Sequence, residues 1–233
     1  LKETAAIVAP GVSTRSLDEL AERLIREGGD TPAFLDYTPE GAPRPYPATL
    51  CVSINDEIVH GIPNEEEKIL KEGDIVGLDL GLVHEGVIVD SAVTVGVGSI
   101  DDAAKKLLRA TQEALEAGIS QAVAGNRIGD ISHAVEEVSK KYGYGIPNDL
   151  GGHGVGDHVH EPPYVANEGH PGTGEEIVSG MVLAIEPMFT EGGKKIKTDK
   201  DDYTVRTKDG SRAAHFEHTV LVTEKGTEVV TRV

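Results

Sequence analysis

Gly73-Asp74-Ile75-Val76-Gly77-Leu78-Asp79 returns later in the chain as Gly180-Met181-Val182-Leu183-Ala184-Ile185-Glu186. Each copy is a glycine followed by an apolar strand that ends in a carboxylate. Further on, Asp90-Ser91-Ala92-Val93-Thr94-Val95 is echoed by Glu217-His218-Thr219-Val220-Leu221-Val222, and His60-Gly61-Ile62-Pro63 more loosely by His160-Glu161-Pro162-Pro163. Duplicated halves pack about a pseudo-twofold axis, and this one would converge four carboxylates and two histidines on one place. The first pair tests the idea. Residues 75–82 and 87–95 are apolar or alternating and rich in β-branched residues, with His84-Glu85-Gly86 between them, which predicts a hairpin. A turn centred between His84 and Glu85 puts Asp79 directly opposite Asp90, with Cβ atoms about 5 Å apart. Two ionised carboxylates so placed repel by roughly 3 kcal/mol at an effective dielectric near 20. Either one keeps a proton or a divalent cation lies between them. Glu186 and Glu217 bring two more acids, which favours the cation.

Outward from that hairpin, the chain reads as a duplicated α+β fold. Ser16-Leu17-Asp18-Glu19 forms a capping box, followed by Leu17, Leu20, Ala21 and Leu24 at helical spacing and Gly28 as the stop. One fixed shift carries Gly11 to Gly125, Ser16 to Asp130, Leu17 to Ile131, Ala21 to Val135 and Leu24 to Val138. The second helix therefore opens at Asp130 and ends at Gly143. Before it, residues 102–124 form a long helix that begins at Asp101 or Asp102. Only Leu1 to Ala9 occupies the matching place in the first half, so a first helix lacking its start is expected. The halves, about 1–100 and 101–233, merge into one catalytic domain with a central antiparallel sheet covered by helices.

Composition sets the bounds. The chain of 233 residues has no apolar run near 20, a single cysteine and a net charge of −18. These exclude a membrane-spanning helix, a disulfide framework and a cysteine-zinc site, and argue against direct nucleic-acid binding. A reducing cytosol suits the lone Cys51. No Gly-x-Ser-x-Gly of a serine hydrolase occurs, and Asp199, Asp201 and Asp202 lack the glycine and distal glutamate of a calcium loop.

The segment Gly151-Gly152-His153-Gly154-Val155-Gly156-Asp157-His158-Val159-His160 has glycines without the lysine of a phosphate loop. One of its imidazoles beside four carboxylates makes a mixed nitrogen and oxygen set suited to Mn, Fe, Co or Zn. His153 and His160 both qualify, while His158, His170, His84 and His133 read as surface residues.

Together with Cys51-Val52-Ser53-Ile54-Asn55-Asp56-Glu57-Ile58-Val59-His60-Gly61-Ile62-Pro63, Ile185-Glu186-Pro187-Met188 and Phe216-Glu217-His218-Thr219, that segment resembles the type I methionine aminopeptidases, of pita-bread fold, over essentially the whole chain. The resemblance implies two divalent ions held by Asp79, Asp90, His153, Glu186 and Glu217, with Asp90 and Glu217 bridging. It implies Glu186 as proton carrier, His160 on the scissile carbonyl and His60 on the amide nitrogen of the second residue. For the methionine side chain it implies Tyr37, Tyr46, Cys51, Val159 and Tyr203, with Phe34 beside them. Val159 and Tyr203 stand where the family often has larger aromatics, and the loop at 38–45 is longer than expected. The activity implied is removal of an N-terminal methionine when the second residue is small. Nascent polypeptide N-termini are the expected partners, in proximity to the ribosome, for a cytoplasmic monomer. A proline-specific aminopeptidase or prolidase shares the fold but resembles longer chains with an added N-terminal domain. A type II enzyme carries an insertion in the second half, and a non-catalytic relative would have lost ligands.

Overall fold

The structure is a computed structural model and describes residues 1–232. In chain order the first half contains α1 (Lys2–Ala6), α2 (Thr14–Glu27), β1 (Thr31–Pro32), β2 (Cys51–Ile54), β3 (Glu57–Val59), β4 (Ile75–His84) and β5 (Val87–Gly96). The second contains α3 (Asp102–Gln121), α4 (Ile128–Tyr142), β6 (Gly151–Gly154), β7 (Glu161–Ala166), β8 (Val182–Ile185), β9 (Met188–Thr190), β10 (Ile196–Thr198), β11 (Val205–Thr207), β12 (Ala213–His215), β13 (His218–Thr223) and β14 (Gly226–Val229). Every strand pairing is antiparallel. Among the described residues no helix is long and apolar enough to cross a membrane.

Each half buries helices against its own strands. Leu17, Ala21 and Ile25 of α2 pack with Leu50, Val52, Val76, Leu78 and Leu80. Leu107, Ala110 and Leu115 of α3 and Ile131 and Val135 of α4 pack with Leu183, Ile185 and Val220. Each fully buried aliphatic side chain contributes about 1.5–3 kcal/mol, so these faces hold the helices down.

Local expectations need correction at three helix ends and at the hairpin. Helix α2 starts three residues before the capping box: Ser13 is its N-cap and accepts from the Ser16 amide at 3.2 Å. Asp18 is then free to turn inward, where it accepts from the Thr49 and Leu50 amides at 2.9 and 3.0 Å. Asp130 likewise lies inside α4, and its carboxylate accepts from the Arg127 amide at the N-cap. The shift between the two helices holds, since both caps move together. Helix α3 ends at Gln121, short of residue 124.

The hairpin also departs from expectation. Glu85 and Gly86 both adopt left-handed backbone, at φ 50° and 89°, and form a two-residue turn closed by the pair His84 and Val87. The turn lies one residue later than expected. Asp79 therefore pairs with Ala92 and Asp90 with Gly81, which makes the two acids diagonal neighbours on one face. In the second half, His218 pairs with Ile185, so Glu217 and Glu186 extend that register directly. The counterpart of Asp79 opposite Ala92 is thus Glu186 opposite Glu217.

The halves join along β5. Ala92 and Glu217 exchange backbone bonds, Ala92 donating at 3.4 Å and Glu217 at 2.9 Å. On either side a threonine hydroxyl bridges the gap. Thr219 Oγ1 accepts from the Asp90 amide and donates to its carbonyl, both at 2.8 Å. Thr94 Oγ1 treats His215 the same way, at 2.9 and 2.8 Å. This two-sided arrangement matches Thr94 with Thr219, Ala92 with Glu217 and Asp90 with His215. The sequence echo that aligned Asp90 with Glu217 is two residues out of step.

Between β8 and β13 the second copy makes an excursion, β9 to β12, that the first lacks. Strand β11 crosses to pair with β3 of the first half, and β9 pairs with β12.

Replacing Thr219 by valine keeps the shape and strands the Asp90 amide and carbonyl in a buried seam. The expected loss is roughly 2–4 kcal/mol, read by calorimetry as a Tm lower by roughly 5–15 °C for a chain of this size. Thr219→Ser, which keeps the hydroxyl, should lose much less.

Candidate active site

Six acidic or imidazole side chains converge where the halves meet. Asp79 lies on β4, Asp90 on β5 and His153 on β6, while Glu186 follows β8 and Glu217 precedes β13. Donor atoms of Asp90, His153 and Glu217 all lie within 4.8 Å of one another. The Glu186 carboxylate reaches His153 Nε2 at 3.4 Å through one oxygen and His215 Nε2 at 3.3 Å through the other. His215, at the end of β12, is the member that sequence reading missed. It stands two residues before Glu217, on the same face of an extended segment, and that spacing was the available signal.

The glycines around His153 have a packing reason. A Cβ at Gly152 would fall 2.1 Å from the Ala184 carbonyl, and one at Gly154 would fall 2.2 Å from the Pro162 carbonyl. Strands β7 and β8 thus close on β6 and aim its one large side chain into the cluster.

The electrostatics of so many buried acids are severe. Burial, then the charges of Asp90 and Glu186, hold the Asp79 carboxyl well above the usual range. Burial followed by the charge of Glu186 raises Asp90 to about 7, and burial raises Glu186 to about 7 against the pull of His153. Glu217 is also pushed up, by burial and then by Asp90, Glu186 and Asp79. Burial lowers His215 to about 4.

The donor set suits a divalent cation. His153 Nδ1 lies 2.8 Å from the Gly154 carbonyl, so it carries the proton and leaves a lone pair on Nε2. That lone pair faces the Glu186 oxygen at 3.4 Å, an approach of two acceptors that a cation between them relieves. Asp79 Oδ1, Asp90 Oδ1 and Glu217 Oε1 are buried without a hydrogen-bond partner among the described residues. Each such group costs about 1–3 kcal/mol unless something satisfies it.

Beside the cluster opens a cavity of about 380 Å³, lined by all five expected ligands and by His60, His160, Phe34, Tyr37, Tyr46, Cys51, Val159 and Tyr203. Phe34, Tyr46, Cys51, Val159 and Tyr203 form one buried apolar group with Tyr37 packed at its edge. Tyr46 donates to the Gly61 carbonyl at 3.0 Å and Tyr203 to the Arg44 carbonyl, so both present ring rather than hydroxyl. Cys51 pairs with Asp79 across β2 and β4, and burial followed by the Asp79 charge keeps its thiol protonated. His160, exposed at the mouth, places Nδ1 3.0 Å from the Tyr37 hydroxyl, and its ring meets that of His153 at 4.5 Å. His60 adopts left-handed backbone, φ 60°, and desolvation followed by the nearby imidazoles of His215 and His153 lowers it to about 4. His84, His158 and His170 are exposed and His133 half-buried, all away from the cavity.

Fold and site together define a metal-dependent hydrolase, and comparison with known proteins agrees. The Metallopeptidase family M24 model matches residues 1–224. Methionine aminopeptidase 1 of Mycobacterium tuberculosis is 48% identical, over 99% of this chain and 86% of its own length. The crystal structure of methionine aminopeptidase from Thermotoga maritima superposes with a TM-score of 0.95 at 42% identity, covering 100% of this chain and 91% of its own. The prolidase of Pyrococcus furiosus shares the fold alone, with TM-score 0.73 and 23% identity over 99% of this chain and 58% of its own. The chain belongs to metallopeptidase family M24, on the branch whose members are named methionine aminopeptidase, and it has their pita-bread fold and use of divalent metal.

Carboxyls raised by the fold bind more protons folded than unfolded, from the ordinary carboxylate range up to about 7 for Asp90 and Glu186. The metal-free protein therefore loses stability from these groups as pH rises through that window, and a cation that displaces the protons offsets the loss. Stabilisation by added Mn(II) should grow between about pH 5 and about pH 8. Melting with and without the ion checks this, and a shift in Tm that ignores pH would contradict the linkage.

Proposed function

We propose that this chain removes the first methionine from peptides and nascent proteins whose second residue is small. The observation that carries the reading is one cavity with two walls: the acid and imidazole cluster on one side, and Tyr46, Cys51, Val159 and Tyr203 on the other. A thioether suits such a wall, because a neutral thiol and aromatic faces are soft and polarisable. The names of the relatives support the same substrate.

Asp79, Asp90, His153, Glu186 and Glu217 are the residues that would hold two divalent ions. Mn, Fe, Co and Zn all fit such a donor set. When bound, such ions supply Lewis acidity toward the scissile carbonyl and lower the pKa of water. The protein's own part is positional. Glu186, its carboxylate between the imidazoles of His153 and His215, is placed to take a proton from water and hand it to the leaving amine. The Tyr37 hydroxyl, 3.0 Å from Nδ1, orients the His160 ring, and in the tautomer with its proton on Nε2 that ring offers it to the scissile carbonyl. Strained backbone at His60 holds a second neutral imidazole for the amide nitrogen of the next residue. Nascent chains place this work close to the ribosome, in the cytoplasm, with the chain acting as a monomer.

Glu186→Gln should abolish turnover, while His160→Ala should lower kcat by roughly 10²-fold or more through loss of carbonyl stabilisation. Steady-state kinetics on a Met-Ala-Ser peptide measure both, and near-normal kcat in either variant would remove that residue from its role.

The substrate itself is decided by competition among Met-Ala-Ser, Leu-Ala-Ser and Ala-Pro-Ala. Methionine should win over leucine by roughly 10–200-fold, the range that one well-fitted apolar contact provides. Faster cleavage of Ala-Pro-Ala would move the chain to proline-specific chemistry.

A further inference from the structure

His215 is buried to 3% exposure, and its Nε2 has no hydrogen-bond partner. Its backbone is fixed on both sides by the Thr94 hydroxyl, so the ring has one place to point. Nε2 sits 3.3 Å from one oxygen of Glu186 and 3.9 Å from one oxygen of Glu217. Across the seam, His215 takes the place that Asp90 takes in the other half, yet its nitrogen lies outside the group that Asp90, His153 and Glu217 form. A side chain that the site's twofold relates to Asp90, one step back from the donors and facing two carboxylates, is built to hold them.

We infer that His215 is a positioning residue whose Nε2–H is donated to the outer oxygen of Glu186, turning its other oxygen toward the cation, with the Glu217 carboxylate alongside. This deepens the metal-site reading above and rests on it. The two imidazoles on Glu186 then have opposite duties. His153, protonated on Nδ1 by its bond to Gly154, offers a lone pair to the ion. His215 offers a proton to the carboxylate, which leaves Glu186 one oxygen for the ion and fixes its plane.

The test separates the two ring nitrogens. In His215→Gln the side-chain amide overlays Nε2 and keeps the donor, whereas in His215→Asn it overlays Nδ1 and loses it. The full-length chain is stripped of metal and titrated with Co(II), following heat and the visible spectrum, with Asp90→Asn as the control that marks the site. Wild type and H215Q should bind alike and share one spectrum, while H215N should bind roughly 10–100-fold more weakly. His215→Leu, which fills the space without a donor, should repeat the H215N result and serves if that variant does not fold. Equal affinity in H215N and wild type would overturn the inference. So would an H215Q spectrum that has lost a nitrogen donor, because His215 would then be a ligand itself. Wild-type binding that is indifferent to Asp90→Asn would instead mark failure of the metal-site reading.

Discussion

The structure hinges on the short antiparallel contact between Asp90–Thr94 and His215–Thr219. Only its central pair, Ala92 with Glu217, bonds through backbone alone. The flanking positions are spanned by threonine hydroxyls that each accept one bond and donate another. A hydroxyl is longer than a direct contact, so the strands splay on both sides of the centre. Three donor-bearing residues, Asp90, His215 and Glu217, lie in that short stretch. The site is thus a product of where two sheets meet imperfectly, and its geometry is set by hydrogen bonds that neither half makes alone.

That placement explains why the acids tolerate one another. Each half could bury one or two carboxylates only at the cost of holding protons, and the shifts at Asp90 and Glu186 to about 7 record this tension. A cation converts repulsion into coordination, and burial then strengthens every contact that it makes. The apolar wall continues without a break from Asp79 through Cys51 to Tyr46 and Tyr203.

Much of this was legible in the chain. The duplicated strands, the helix pair and the four clustered carboxylates follow from periodicity and from two copies of one pattern, while His153 was singled out from His160 only by the family resemblance. What failed was local. Ser13 and Ser16 are equally good caps, and the choice falls to Ser13 because its backbone bridges to Ile69. The hairpin turn moved by one residue because Glu85 accepts a left-handed conformation that its type seldom adopts. The echo of Asp90 in Glu217 matched acid with acid, whereas the chain aligns Thr94-Val95 with Thr219-Val220. His215 stayed hidden because its importance comes from Glu186, 29 residues away in the chain, and its spacing of two from Glu217 was the one local sign of it.

The excursion from β9 to β12 has a consequence for how such a chain can change. It leaves the second sheet after Glu186 and returns just before Glu217, so both ends are pinned by the chemistry. Between them it delivers Tyr203 to the cavity and Val205 to β3. Changes confined to the β10–β11 part of that span alter the wall that faces the substrate side chain, while His215 on β12 stays tied to the seam and to the two glutamates. Taste and chemistry are therefore separately heritable at β10 and β11, where a lineage could retune which residue it trims without touching the five donors or His215.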